Sequence, residues 1–192
     1  HVYDNPAWGR LVLDNIIDRD NTCTESEEQA EGEGICQDPD GDGEIDNYLR
    51  ITGWVDQGSI AGFQCGELGP DNAECEADLT EGDNVFQEDD EGPAFWNDEL
   101  IGNIGPFELA PVFQTAYSLE GCSVEDGDTT YGDCHGYALD GRMVPSTTYY
   151  FGLAWSLDLQ ETGNDAQTDS FGTDMIFEVE QHRNNPTPFP DV

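Results

Sequence analysis

The sequence predicts an all-β fold, an antiparallel β-sandwich with long acidic loop inserts. Three observations predict it. Residues 149–185 alternate with period two, the six cysteines fall in pairs inside acidic, glycine-rich stretches, and β-branched and aromatic residues gather in short runs between those stretches. At 192 residues the expectation is one domain, 1–192, with enough chain to enclose a core.

Residues 9–16 (GRLVLDNI) and 48–56 (YLRITGWVD) read as strands. Between them, 18–47 is an acidic and polar insert, too long for a structureless loop unless a disulfide and a metal clip order it. A second insert covers 57–92. In 95–104 (FWNDELIGNI), Trp96, Leu100 and Ile104 recur every four residues, which predicts a short helix. Residues 105–117 are apolar but broken by Pro106 and Pro111, as in an edge strand or an irregular crossing. A third insert covers 120–135. Then Tyr149, Phe151, Leu153, Trp155 and Leu157 share one parity, and Phe171, Met175, Phe177 and Val179 share one parity further on. With the polar run 160–170 between them, they read as a closing hairpin. Residues 184–192 hold Pro186, Pro188, Pro190 and the aromatic Phe189, an extended tail that is free or docks on a neighbour.

The hairpin also carries a resemblance. Trp155 and Leu157, then Gly163, Asn164, Ala166, Gln167, Asp169 and Ser170, then Glu180, Gln181, His182, Arg183, Asn184 and Asn185 resemble the C-terminal signature of TasA/camelysin-type proteins. The likeness is to the secreted versions, with SipW-type signal peptides, of salt-loving archaea. It implies a jelly-roll-like sandwich exported to the cell surface, often as a filament subunit. The usual aromatic opening strand of that family is not recognisable before Gly9. Fold and resemblance together give an all-β, jelly-roll-like antiparallel β-sandwich with long acidic, disulfide-bonded loop inserts.

There are 43 acidic residues against 5 basic ones, a net charge of −38, and all the basic residues are arginine. Such a chain repels itself until salt intervenes. At about 1 M salt the Debye length falls to about 3 Å, so the composition suits concentrated brine. The same charge excludes nucleic acid and anionic membranes as partners. No run of about 18 apolar residues is present to span a membrane.

The cysteines point to an oxidising, extracellular setting. Cys23 with Cys36, Cys65 with Cys75, and Cys122 with Cys134 are expected to pair in sequence, because that closes the shortest loops. The strongest chemical motif is Asp38, Asp40, Asp42, Gly43, Glu44 and Asp46, whose alternating acids and glycine match the first part of a calcium loop. Hard Ca²⁺ seeks six to eight oxygens, and short acidic side chains at alternate positions converge on one point. Leu49 stands where the closing glutamate belongs, so Asp46 or a distant group must close the site. Residues 87–91 (QEDDE) and 125–128 (EDGD) read as solvated acidic loops.

No HExxH and no GxSxG motif is present, and His1, His135 and His182 are scattered. A copper brace built on His1 has no second motif behind it. The chain is therefore expected not to be an enzyme. It reads as the mature, extracellular form of a structural filament subunit, a pilus or biofilm-matrix fibre of an extreme halophile. Assembly with copies of itself would proceed by strand addition, with Val2, Tyr3, Trp8, Leu11 and Leu13 of residues 1–16 as the exchanged element. The alternative is a monomeric adhesin or carbohydrate-binding module.

Overall fold

In a computed structural model of the chain, the structure describes residues 5–31, 43–56, 58, 80–116, 137–144, 148–158, 160–183, 185 and 188–190. Among them, strands in two antiparallel sheets dominate, with few helices. One sheet has the order β4–β1–β6, built from Phe107–Glu108, Ala7–Arg19 and Ser170–Gln181. The other has the order β3–β2–β5, built from Trp96–Leu100, Leu49–Val55 and Phe151–Leu157. Leu11 and Leu13 of β1, Leu49, Ile51 and Val55 of β2, and Trp96 of β3 share one apolar core.

The first predicted strand is the middle of its sheet. Ala7, Gly9, Leu11 and Leu13 face inward on alternate positions, as the pleat requires. Between Asp14 and Ile17 the register against β6 slips by one residue, and Asn15 takes a left-handed backbone with φ 50°. This bulge switches the inward parity. Ile16 and Ile17 become exposed, while Asp18 and Asp20 turn partly inward.

Residues 95–104 form a strand and a 3-10 turn (Ile101–Asn103), not the expected helix. A spacing of four satisfies period two as well as a helical face, and pairing with β2 decides between them. Residues 105–117 give the expected edge strand, β4, but only two residues of it. Helix α3 (Leu109–Ala116) follows and buries Leu109, Val112 and Phe113. Pro111 sits in its first turn, where a missing N–H costs nothing.

The expected closing hairpin is corrected. Both strands exist, but β5 pairs with β2 and β6 pairs with β1. The connection from β5 to β6 therefore leads from one sheet to the other. Alternation states which face of a strand is buried, not which strand lies beside it. The two strands meet through side chains instead, with the Phe151 and Phe177 rings 5.4 Å apart. In the tail, Phe189 is buried under the Arg10 guanidinium, 4.6 Å from the ring centre. It docks on its own chain.

No helix of the described residues is long and apolar enough to cross a membrane.

Candidate metal centre

Three acidic side chains from three elements converge beside the bulge. Asp20 follows β1, Glu27 lies in α1 (Glu25–Glu31), and Asp169 precedes β6. One carboxylate oxygen from each lies within 4.8 Å of the others. The helix is placed by a capping box. The Thr24 hydroxyl accepts from the Glu27 amide at 3.4 Å, and the Glu27 carboxylate accepts in return from the Thr24 amide. Glu25, Glu27 and Glu28 in its first turn suit the helix dipole.

Glu27 is only 2% exposed, an unusual position for a charged group. Its Oε1 lies 3.2 Å from the Thr168 hydroxyl, whose single proton has a nearer acceptor in the Thr22 carbonyl at 2.8 Å. Asp20 Oδ1, Asp169 Oδ1 and Asp18 Oδ1 are all buried without a hydrogen-bond partner. Asp169 Oδ2 accepts from the Glu44 amide at 2.7 Å, and Asp18 Oδ2 accepts from the Asp46 amide at 2.6 Å. Gly43 packs so closely that a β-carbon there would lie 2.5 Å from Asp18 Oδ1.

Hydrogen bonds from the Asp46 and Glu44 amides offset only part of the cost of burying Asp18 and Asp169. Burial, and then the charges of Asp46 and Asp169, push the Asp18 carboxyl up to about 6. Burial, followed by the charges of Asp20 and Glu27, also raises Asp169. The arginine ion pairs seen among the described residues lie elsewhere: Arg10–Glu178, Arg50 with Asp98 and Glu161, and Arg142–Asp140. Buried carboxylates with free oxygens suit a hard divalent cation, and the donor set is all oxygen.

Of the expected calcium ligands, Asp38, Asp40 and Asp42 lie outside the described residues. Glu44 and Asp46 do reach the centre, through backbone amides that hold Asp169 and Asp18 in place. Sequence reasoning missed Asp18, Asp20, Glu27 and Asp169. The Thr24-x-x-Glu27 capping box was the available signal for one of them.

Of the six cysteines, Cys23 is disulfide-bonded. Cys36, Cys65, Cys75, Cys122 and Cys134 lie outside the described residues. The described geometry therefore does not establish the expected bridges of Cys23 to Cys36, Cys65 to Cys75, or Cys122 to Cys134.

Among the expected assembly residues, Val2 and Tyr3 also lie outside. Trp8 is half-buried, edge-on to His182 at 5.8 Å, and Leu11 and Leu13 belong to the chain's own core. β1, which holds most of the described part of residues 1–16, is seated as the middle strand of its own sheet. Residues 87–91 are also not simply solvated, since Glu91 is fully buried.

A different surface stands open. On the β3/β4 side, the Phe95 and Phe107 rings stack at 5.5 Å and close the space between the sheets. On the β5/β6 side, a groove of about 560 Å³ runs between Leu153 and Leu157 on one wall and Phe171 and Met175 on the other. A second recess of about 260 Å³ continues beyond the Phe151–Phe177 contact toward Val179. Trp155 at the lip is 75% exposed, and Phe177 and Val179 are 50% and 58% exposed.

Neither protein-family models, nor curated proteins, nor solved structures contain a match to this chain.

Proposed function

We propose that the chain is a non-enzymatic structural subunit of an extracellular filament in a high-salt setting. Its jelly-roll-like sandwich adds a strand from a second copy along the open β5/β6 side. One observation carries the reading: the long apolar cleft there is flanked by two edge strands, each hydrogen-bonded to a described strand on one side only. An edge without a strand neighbour beside an apolar trough is the surface that strand addition uses, and on β5 the Leu153 amide is held by Asn84 Oδ1 at 3.0 Å. From Phe171 to Met175, short of the Phe151–Phe177 contact, the groove would take a strand of roughly 14 Å. The disulfide at Cys23 suits an oxidising compartment. Calcium at Asp20, Glu27 and Asp169 would rigidify the loops at one end.

Electron microscopy and sedimentation in molar salt test this. Trp155→Glu and Val179→Glu should abolish filaments while leaving the monomer folded by circular dichroism, because both side chains are already mostly exposed. A wild-type protein that stays monomeric, with no filaments, would refute the reading and favour an adhesin or carbohydrate-binding module.

A further inference from the structure

The two strands of the open side do not offer their backbones equally. The Pro6 carbonyl accepts from the His182 amide at 3.0 Å, so the even-numbered residues that follow, up to the bulge, face β6. Ala7 turns the other way and exchanges both its backbone bonds with Met143. Antiparallel pairing carries this alternation along the ladder, so Ile176, Glu178 and Glu180 are bonded to β1. Met175, Phe177 and Val179 point their amides and carbonyls out of the sheet edge. Among the described residues, no backbone hydrogen bond reaches these three.

On β5 the outward set is Phe151, Leu153 and Trp155, because the Tyr150 carbonyl turns inward to the Asp56 amide at 3.0 Å. Here the edge is guarded. Asn84, ahead of the helical turn α2 (Glu88–Glu91), has a left-handed backbone with φ 58° and lays its Oδ1 on the Leu153 amide. The Asn84 amide donates to Asp56 Oδ2 at 2.8 Å, which fixes the guard at the end of β2. The edges on the opposite side, β3 and β4, are five and two residues long. β6, with twelve residues and no proline, is the long free edge among the described strands.

We propose that the strand added to β6 is β6 of a second copy, antiparallel to the first about a two-fold axis at Phe177. This rests on the self-association proposed above and names its edge. With Phe177 opposite Phe177, Met175 falls opposite Val179, and all of them bond through their outward amides. Their side chains lie on the face that looks into the cleft, so each copy covers what the other leaves exposed, together with Trp155 at the lip. At about 200 Å² for a whole aromatic side chain, the exposed parts of Trp155 and Phe177 come to about 250 Å² per copy and about 500 Å² per pair. Met175, Val179 and the two backbones raise this to about 1,000 Å², the size of a specific interface. On the outer face Asp174 meets Glu180, two like charges, so the pairing should need molar salt. An isologous pair is closed, and a different contact would extend it into a filament.

Hydrogen exchange of the whole protein in molar potassium chloride, dilute against concentrated and with sedimentation in parallel, tests the pairing. On association the Met175, Phe177 and Val179 amides should gain about tenfold protection or more, while Leu153, already bonded to Asn84, should change little. Val179→Pro removes an outward amide and no bond to β1, so the variant should fold and lose the gain at Met175 and Phe177. A wild-type protein that associates without protecting these amides would overturn the β6 pairing and leave the filament reading standing. A folded Val179→Pro that still gains protection there would overturn it too. A wild-type protein that is monomeric at every concentration would remove both. The wild-type comparison decides the matter even if Val179→Pro does not fold.

Discussion

Gly152 and Gly172 occupy the two long strands that border the open cleft, and the space around them could hardly differ more. A β-carbon at Gly152 would stand 1.9 Å from the Trp54 ring, which is buried and already wedged against Phe86 at 5.4 Å. Neither ring can retreat, because the core is packed at crystal-like density. Gly152→Ala should therefore cost about 3 kcal/mol by overpacking. At Gly172 nothing lies within 4 Å of such a carbon, so Gly172→Ala should change stability by less than about 0.5 kcal/mol. Denaturant midpoints at fixed salt measure both, and equal effects would contradict the packing described. At this scale the sequence was only partly legible. Phe151 could be placed on an alternating strand, and Leu11 and Ile51 on apolar strand runs, but Glu27 could not be placed. Among 43 acidic residues, one carboxylate that turns inward looks like all the others. Only its spacing from Thr24 marked it, and a capping box names a helix start rather than a ligand.

Helix α1 and the β1 bulge together assemble the candidate centre. The bulge rotates Asp18 and Asp20 inward, and the capping box lays Glu27 across them, against the turn that carries Asp169. Glu27→Gln separates charge from architecture, since glutamine serves the capping box equally well. In chelator the variant should be more stable than wild type by about 1 kcal/mol, because one like charge leaves a partly buried cluster. In calcium the order should reverse, with a smaller calcium-induced rise in melting temperature. An unchanged calcium response would remove Glu27 from the centre. Element by element, the strands at 9–16 and 48–56 were readable from their β-branched and aromatic content, and those in 149–185 from alternation. Their partners were not readable. The connection from β5 to β6 and a tight hairpin place the same polar residues between the same alternating runs, and only long-range pairing with β1 and β2 separates them. The strand at 95–104 was misread for a related reason, since its spacing fits two periods at once.

Taken whole, the molecule carries −38 charges, and carboxylates outnumber arginines even among its described buried residues. Near 0.1 M salt the Debye length is about 10 Å, long enough for neighbouring surface acids to repel one another. Filaments, and then the fold itself, should loosen as potassium chloride is dialysed from molar to low concentration. Light scattering should fall before circular dichroism changes. Filaments intact in distilled water would contradict a halophilic assembly. Charge could be read from composition and the all-β class from the alternation and apolar runs, because each is a sum over many residues. The open side could not, because it depends on which strand is missing a neighbour.

The longest ladder joins segments such as Arg10 and Glu178, which are 168 residues apart in sequence. A pairing of that kind has a very high contact order, so folding should be slow. During synthesis β1 emerges well before its partner β6 and waits, its apolar face uncovered, until that strand has followed. Aggregation therefore competes with maturation over that entire interval. A chaperone that shields residues 7–19 would improve the yield of native protein more than one that acts on the finished sandwich.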